Sequence, residues 1–228
     1  MAVELCRPFP SGLTRILNIL PKFDANILAD EGDVARIRKG RAGWVLVGGR
    51  SSRMGVDKAT ADSDGRALAL RVADRIAGAC GQVSLVGDPL IYSQLGLPVV
   101  ADSFPGQGPL AGIEAALAAS TSDNNLIVAC DMPSISENLP AELFLAAEKA
   151  DCVVPRHEGG RLEPLCAVYH RHCHPVVLRA IQTGVRKVTD ILPLLEANGF
   201  AVRYVRVSDP TSFENLNTPE DWHRYHRG

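Results

Sequence analysis

Residues 44–58, Trp-Val-Leu-Val-Gly-Gly-Arg-Ser-Ser-Arg-Met-Gly-Val-Asp-Lys, decide the fold expected for this chain. The stretch begins with four continuously apolar residues, Trp44 to Val47, which end at the glycine pair Gly48 and Gly49. A short apolar run that ends in glycine is typical of a fully buried parallel strand. Glycine then lets the backbone turn sharply and approach a ligand, because no Cβ is in the way. The stretch therefore predicts a central strand followed by a ligand-binding turn.

The turn also carries the positive charge needed to hold an anion. Backbone N–H groups in such a loop form an anion-binding concavity, and Arg50, Arg53 and Lys58 add three cationic side chains. The spacing does not fit a Walker A loop, which requires a Gly-Lys pair. The glycines alone would equally fit an ordinary strand-to-helix turn, but the whole run favours a polyphosphate site.

Length and composition indicate a soluble enzyme. The chain has 228 residues, of which 46% are hydrophobic, and a net charge of −2, which predicts one large domain or one domain with an appendage. A charge this close to zero argues against nucleic acid as a partner, and no apolar run has the length of a membrane span. The scattered cysteines are typical of reduced thiols in a cytoplasmic protein.

The chain divides into two parts of different character. Residues 1–42 carry a short apolar helical pattern and then a basic run, and contain none of the strand signals found later. We expect a flexible N-terminal extension, with a docked helix as the alternative. From residue 43 strand and helix patterns alternate, which predicts one α/β domain over residues 43–228. The expected architecture is a three-layer, doubly wound, mostly parallel sheet of Rossmann-like type.

The individual elements follow from apolar periodicity, capping residues and turn residues. The predicted strands are residues 44–47, 82–86, 97–101, 125–130, 152–155, 164–169 and 201–207. The predicted helices are residues 68–79, 108–120, 136–149, 175–182 and 188–198, with a last helix that begins at Thr218.

Polar residues follow four of the predicted strands where a ligand is expected. In doubly wound sheets the ligand lies off the carboxyl ends of the strands. Gly48 and Gly49 follow the first strand, Gly87 and Asp88 the second, Asp102 the third and Asp131 the fourth. An aspartate directly after a buried strand needs an explanation, and the simplest alternative is that it caps the next helix. A carboxylate that faces a phosphate loop suits Mg²⁺.

Several motifs, in a fixed order, resemble the molybdenum cofactor guanylyltransferase family of the MobA type. Residues 46–58 resemble the family's loop Leu-Ala-Gly-Gly-x-Ser-x-Arg-Met-Gly-x-Asp-Lys, with Val47 in place of the alanine. Asp102 with residues 105–112, and Cys-Asp-Met-Pro at residues 130–133, resemble its next two segments. Further matches lie at residues 161–169 and 215–221, which resemble its pterin-side and C-terminal segments.

The resemblance implies a nucleotidyltransferase with a nucleotide-binding fold. GTP and the molybdopterin cofactor would be its substrates, Mg²⁺ its cofactor, and molybdoenzymes or other cofactor-biosynthesis proteins its partners. The products would be the guanine dinucleotide cofactor and pyrophosphate. By resemblance, the catalytic residues are Arg53, Lys58 and Asp131, with Asp131 as the metal ligand; the nucleotide-binding residues are Leu46, Val47, Gly48, Gly49, Lys58, Gly87, Asp102 and Asp131; and Asn217 lies on the pterin side.

Other functions remain open from the residues alone. The Gly48-Gly49 pair is similar to the guanylyltransferases, but a cytidylyltransferase or another nucleotidyltransferase is the nearest alternative. Residues 106–111 satisfy Gly-x-Gly-x-x-Ala, with Asp131 about twenty residues further on, as in an NAD-dependent dehydrogenase. A nucleotide-binding module without turnover is a third alternative.

A cluster of cysteine and histidine residues raises the question of zinc. Its members are Cys166, His170, His172, Cys173 and His174. The cluster lacks a Cys-x2–4-Cys pair, and alternation along a strand would turn Cys166 away from Tyr169 and the histidines. We therefore expect a solvated loop here rather than a structural zinc site.

Overall fold

The computed structural model describes residues 40–48, 59–60, 62–63, 66–207, 210–214, 216, 221 and 225. Its strands are β1 (Arg41–Leu46), β2 (Asp62–Ser63), β3 (Arg66–Ala67), β4 (Gln82–Val86), β5 (Val99–Val100), β6 (Asn124–Ala129), β7 (Cys152–Arg156), β8 (Cys166–His170) and β9 (Val202–Arg206). Its α-helices are α1 (Leu68–Ala77), α2 (Pro89–Tyr92), α3 (Pro109–Ala119), α4 (Leu139–Ala147), α5 (His174–Gln182) and α6 (Ile191–Ala197).

Seven strands form one sheet in the order β5-β4-β1-β6-β8-β7-β9. Strand β1 lies near the middle and pairs in parallel with β4 and β6. Strand β8 is antiparallel to both of its neighbours, β6 and β7, whereas β7 and β9 are parallel. Because β8 reverses between them, β7 runs in the same direction as β6 and β1. The predicted mostly parallel sheet is confirmed.

The apolar residues of the central strands explain why they lie in the middle. Val45 in β1 and Ile127 in β6 are fully buried, as expected for strands covered on both faces. The indole Nε1–H of buried Trp44 donates a hydrogen bond to Asn125 Oδ1 at 3.0 Å. This bond removes the cost of burying both polar groups.

Helices cover both faces of the sheet, which confirms the three-layer arrangement. One core contains buried residues of α3, α5 and α6 packed against Trp44, Ile127 and Tyr169. The other contains buried residues of α1 and α4 packed against Val45, Val128 and Cys166. Neighbouring residues of one strand therefore contribute to opposite cores, as the two-residue period of a strand requires.

Most predicted elements occur, but several boundaries were wrong. Strand β4 matches its prediction, whereas the strand expected at residues 97–101 shrinks to Val99–Val100 at the sheet edge. Ser136 does not cap α4, which begins at Leu139 after Asn138; its carbonyl instead accepts a turn hydrogen bond from Leu139 N at 3.2 Å. The helix expected at 188–198 divides into a 3₁₀ turn and α6. The start of the last predicted helix, Thr218, lies outside the described residues.

Strand β1 begins two residues before the predicted start of the domain. Arg41 and Ala42 belong to the strand, and the Arg41 guanidinium lies 4.9 Å above the Phe144 ring. The division of the chain at residue 42 stays a prediction. Within the part of the chain that the structure describes, no helix is both long and apolar enough to cross a membrane.

Candidate active site

The carboxyl ends of β1, β4, β5 and β6 lie side by side at one edge of the sheet. Backbone hydrogen bonds join Val47 N to Val86 O at 2.9 Å, Gly87 N to Val100 O at 2.9 Å and Cys130 N to Leu46 O at 3.2 Å. The residues one or two positions beyond these strand ends are therefore brought together as predicted. They are Val47, Gly48, Gly87, Asp102 and Asp131, and we call this the carboxyl edge.

Gly48 is the point at which the chain leaves the sheet. Val47 is still buried, whereas Gly48 is exposed and has a φ of 121°. A positive φ of this size strains residues that carry a Cβ, so glycine is the residue that fits. The structure thus supports the predicted turn after β1. Gly49, Arg50, Arg53 and Lys58 lie outside the described residues, and their predicted roles stay predictions.

Gly87 packs closely against Val47 and Tyr92. A Cβ added at Gly87 would overlap the carbonyl oxygen of Val47 and would lie 2.8 Å from Val47 Cγ2 and 2.9 Å from Tyr92 Cδ2. Real Cβ atoms do not approach carbon atoms this closely, so the position has space for glycine alone. Any ligand contact at Gly87 is consequently made by its main chain.

Asp102 stabilises the loop that precedes α3. Its Oδ1 accepts a hydrogen bond from Phe104 N at 2.7 Å, which is an Asx turn. Gly106 and Gly108, with φ values of 78° and 85°, then direct the chain into α3 at Pro109. The alternative that Asp102 caps the helix directly is wrong, because the helix begins seven residues later and Gly108 occupies its N-cap position.

Asp131 lies half-buried, two residues beyond the end of β6. Its carbonyl oxygen accepts a hydrogen bond from Leu216 N at 2.9 Å, which joins the C-terminal segment to this edge. Asp131 is not the cap of α4, since that helix begins eight residues later, after Asn138. The helix-cap alternative is therefore wrong here too, although it does describe Asp88, whose Oδ1 caps α2. Asn217 lies outside the described residues.

The connection between β7 and β8 adds a charged cluster that spacing alone did not predict. Glu163 Oε1 lies 2.7 Å from His157 Nε2 and 2.9 Å from Arg161 Nε. The imidazole of His157 contacts Phe213 edge to face, with ring centroids 5.0 Å apart. A sequence clue was available, because Glu163 is an acidic residue placed directly before the strand predicted at residues 164–169.

The predicted zinc candidates do not converge. Cys166 is buried in the core opposite Tyr169, and burial raises the pKa of its thiol to about 12. His174 Nε2 instead lies 2.8 Å from Glu114 Oε1, on α3. Among the described residues, no three histidine, cysteine or acidic side chains are grouped as metal ligands.

The Gly-x-Gly-x-x-Ala pattern lacks the setting that a dinucleotide-binding turn requires. In that motif the strand leads straight into the first glycine. Here β5 ends at Val100, and five residues separate it from Gly106. The first residues of this pattern instead belong to the loop before α3, which begins with the Asx turn of Asp102.

Comparison with known proteins agrees with this geometry. A family model described as the MobA-like NTP transferase domain matches residues 43–197. The chain belongs to this family. The predicted family, the α/β fold and the class of enzyme, a nucleotidyltransferase, are confirmed, and the dehydrogenase alternative is set aside.

Individual relatives of the MobA-like family match most of the chain. A probable molybdenum cofactor guanylyltransferase of Pelotomaculum thermopropionicum is 39% identical over 78% of this chain and 88% of its own length. One of Carboxydothermus hydrogenoformans is 32% identical over 79% and 92%. The crystal structure of molybdopterin-guanine dinucleotide biosynthesis protein A of Archaeoglobus fulgidus has a TM-score of 0.68 and 28% identity, covering 82% of this chain and 97% of that one.

Proposed function

We propose that this protein transfers GMP from GTP to the molybdopterin cofactor and releases pyrophosphate. The observation that carries the proposal is its 39% identity, over nearly the whole domain, to a relative named as a probable molybdenum cofactor guanylyltransferase. The carboxyl edge supports it, because Gly48, Gly87, Asp102 and Asp131 follow four adjacent strands.

The nucleotide would bind on the side of the carboxyl edge formed by β1, β4 and β5. Main-chain groups of residues 46–49 and Gly87 would hold it closely, since neither Gly48 nor Gly87 presents a side chain. Asp102 would contact the nucleoside from the loop before α3. Arg53 and Lys58 would neutralise the triphosphate and the charge that develops in the transition state. Preorganised cations of this type are effective because they need no reorganisation during the reaction.

The transfer step requires positioning rather than covalent help from the protein. An oxygen of the acceptor's terminal phosphate attacks the α-phosphorus of GTP and forms the new P–O bond. The bond from that phosphorus to the oxygen bridging to the β-phosphate breaks, and pyrophosphate leaves with the electron pair. Holding the two phosphates in line supplies much of the rate enhancement in such reactions.

The residues present fit Mg²⁺. Asp131 offers a hard carboxylate oxygen at the carboxyl edge, and Mg²⁺ is commonly bound by one or two carboxylates together with substrate phosphates and water. A site of this composition needs no cage of protein ligands, which agrees with the lack of a three-residue group among the described residues. When bound, the ion would neutralise phosphate charge and polarise the phosphoryl oxygens.

All five cysteines in the described residues are free thiols, which supports a reducing, cytoplasmic environment. A molybdoenzyme or another cofactor-biosynthesis protein would receive the product. The segment before the sheet would be an extension outside the catalytic domain, and it would be shorter than the predicted residues 1–42, because Arg41 and Ala42 belong to β1.

A thermal-shift panel tests the nucleotide part of this function. A ligand that binds the folded state raises the melting temperature according to its concentration and affinity. With Mg²⁺ present, we expect GTP to stabilise the protein more than CTP, ATP or NAD⁺ at equal concentration. An equal or larger shift with CTP would replace the guanylyltransferase by a cytidylyltransferase, and selective stabilisation by NAD⁺ would refute the nucleotidyltransferase function.

A further inference from the structure

Strand β9 is the outermost strand of the sheet, beyond β7. It pairs in parallel with β7 along all five of its residues. Among the residues that the structure describes, no strand pairs with its other side. The strand at the opposite end of the sheet, β5, has only two residues. Of these two edge strands, β9 is therefore the one long enough to pair with a further strand.

Alternate residues of β9 direct their backbone groups away from β7. At one end of the strand, Ala201 O accepts a hydrogen bond from Cys152 N at 3.1 Å. At the other end, Val207 N donates to Arg156 O at 3.1 Å. Because backbone groups alternate between the two sides of a strand, the odd-numbered residues bond to β7 and the even-numbered residues point outward. The outward residues are Val202, Tyr204 and Arg206.

The two arginines of β9 limit the register in which a second copy of the strand can pair. When two identical antiparallel strands are related by a two-fold axis, the residue on the axis lies opposite itself. An axis at Arg203 or Arg206 would oppose two like charges, which is destabilising. An axis at Val202 or Val205 would extend the pairing beyond the end of β9 and leave outward residues unpaired. An axis at Tyr204 instead pairs all the outward residues and places Val202 opposite Arg206.

This register also brings an acid of one chain to a base of the other. Val202 and Tyr204 pack against the core that contains α6, and Arg206 lies on the same face because of the two-residue period of a strand. Glu196, which is exposed on α6, lies 3.5 Å from the hydroxyl oxygen of Tyr204. Since Arg206 of the second copy would lie opposite Val202 on this face, it would lie beside Glu196. The two-fold axis repeats this pair.

Neither of these charges is neutralised within one chain. Arg206 lies next to Arg156, its neighbour on β7, and both are exposed. In the described part of the chain, neither Arg206 nor Glu196 makes an ion pair. The edge therefore carries an unmatched base and an unmatched acid at positions that complement each other across a two-fold axis. Such a surface fits a second copy of the chain better than a partner of a single charge sign.

We propose that two copies of this protein associate through β9, in an antiparallel pair centred on Tyr204, with Arg206 of each chain bound to Glu196 of the other. The two seven-stranded sheets would then form one continuous sheet. This interface is independent of the proposed function, because association is measured without nucleotide or acceptor. The strands that carry the predicted nucleotide residues, β1, β4 and β5, are not neighbours of β9.

Sedimentation velocity of the full chain over the micromolar range tests the association. We expect the wild type to shift, as its concentration rises, from 24.5 kDa to twice that mass. Arg206→Glu and Glu196→Arg should each raise the Kd of the dimer roughly tenfold or more, because like charges would then face each other. Combining the two substitutions should recover most of the loss, since the pair is restored with its signs reversed.

Arg179→Glu is the matched control for these charge changes. Arg179 is an exposed arginine of α5, a helix that precedes α6 and does not belong to the proposed interface. This variant makes the same change of net charge as Arg206→Glu and should leave the Kd of the dimer within about twofold of wild type. Melting curves should show that all the variants fold, because each substitution is at an exposed position.

A cysteine cross-link tests the register. Tyr204→Cys would place a thiol opposite its own copy, and the Cα atoms of opposed, hydrogen-bonded residues lie about 5.5 Å apart, which a disulfide can span. Mild oxidation should therefore give a covalent dimer. Val202→Cys is the control, since it lies on the same face of the strand but opposite Arg206, and it should form no more covalent dimer than wild type.

A wild type that keeps the mass of one chain at every concentration would overturn the inference. A dimer that Arg206→Glu leaves intact, or a double variant that associates no better than the single variants, would overturn it as well. Equal cross-linking of Tyr204→Cys and Val202→Cys would exclude the pair centred on Tyr204.

Discussion

Gly87 packs against the carbonyl group of Val47 so closely that no Cβ fits between them. The two residues end neighbouring strands, since Val47 N donates to Val86 O at 2.9 Å. Val47 is the last buried residue before the chain turns at Gly48. The path of the chain at Val47 therefore depends on the absence of a side chain at Gly87.

Gly87→Ala should displace the end of β1 and weaken GTP binding. Overpacking of a tight site costs about 1–3 kcal/mol, which corresponds to roughly 3–10 °C in melting temperature for a chain of this size. GTP affinity should fall about tenfold, the equivalent of one lost hydrogen bond to a charged group. Calorimetry and melting curves provide the two measurements.

Gly78→Ala is the control for that substitution. Gly78 follows α1 with a helical φ of −61°, and an added Cβ would meet nothing within 4 Å. It should leave GTP binding unchanged and the melting temperature equal or slightly higher, because alanine restricts the unfolded chain more than glycine does. If Gly87→Ala behaves like Gly78→Ala, the close packing of Gly87 against Val47 does not contribute to GTP binding.

Asp131→Asn should abolish Mg²⁺-dependent transfer while sparing GTP binding measured without metal. Asparagine keeps the shape of the side chain but loses the charge that would hold the ion. Loss of metal assistance is expected to cost about 10³-fold or more in rate. Pyrophosphate release over a Mg²⁺ titration measures the effect.

Asp123→Asn removes a carboxylate from the opposite edge of the sheet and serves as the control. Asp123 is exposed and its partner is Arg171, so turnover should be unchanged. Turnover of Asp131→Asn within about tenfold of wild type would show that the metal ligand is another residue.

Cys166 should make the protein less stable in alkaline solution. Burial raises the pKa of its thiol from 9.0 to about 12. Between about pH 9 and pH 12 the unfolded chain loses this proton more readily than the folded one, so the free energy of unfolding falls as pH rises. Below pH 9 the contribution is fully present and does not vary with pH.

Urea unfolding at pH 8 and pH 10.5 measures this effect. Other groups also titrate in this range, so the comparison is with Cys166→Ala, whose stability should fall less between the two values. Equal losses for the two proteins would mean that the thiol does not contribute.

Removal of residues 1–39 should preserve GTP binding. The sheet begins at Arg41, which also packs on Phe144 and lies 3.9 Å from Glu148. A cut before Gly40 keeps these contacts, and the predicted site residues all follow it. Unchanged GTP affinity by calorimetry is expected, whereas an insoluble product would show that the apolar pattern at residues 13–20 belongs to the core.

The sequence patterns predicted those features that depend on neighbouring residues. Strand β4 was located to the residue, and the carboxyl edge followed from the rule that parallel strands end together. Glycine at position 48 was predictable because a turn after a buried strand needs its conformational freedom. The family resemblance added the order of the motifs.

Features that depend on distant residues were not predictable in this way. The direction of β8 is not encoded in its own apolar run, because the same pattern fits either direction. Strand β5 is short since only one neighbour supports it at the sheet edge. The pairing of Glu163 with His157 and Arg161, and the contact of His157 with Phe213, appear only when the hairpin and the C-terminal segment are folded together.

Guanylyl transfer is measured most directly as nucleotide transfer to molybdopterin in the presence of Mg²⁺. Equal concentrations of α-labelled GTP and CTP would be supplied in separate reactions, and labelled dinucleotide and pyrophosphate would be quantified together. We predict label transfer from GTP at a rate at least tenfold above that from CTP, with one pyrophosphate released per dinucleotide formed. Label transfer from CTP at an equal or higher rate, or GTP binding without any dinucleotide product, would contradict a guanylyltransferase function.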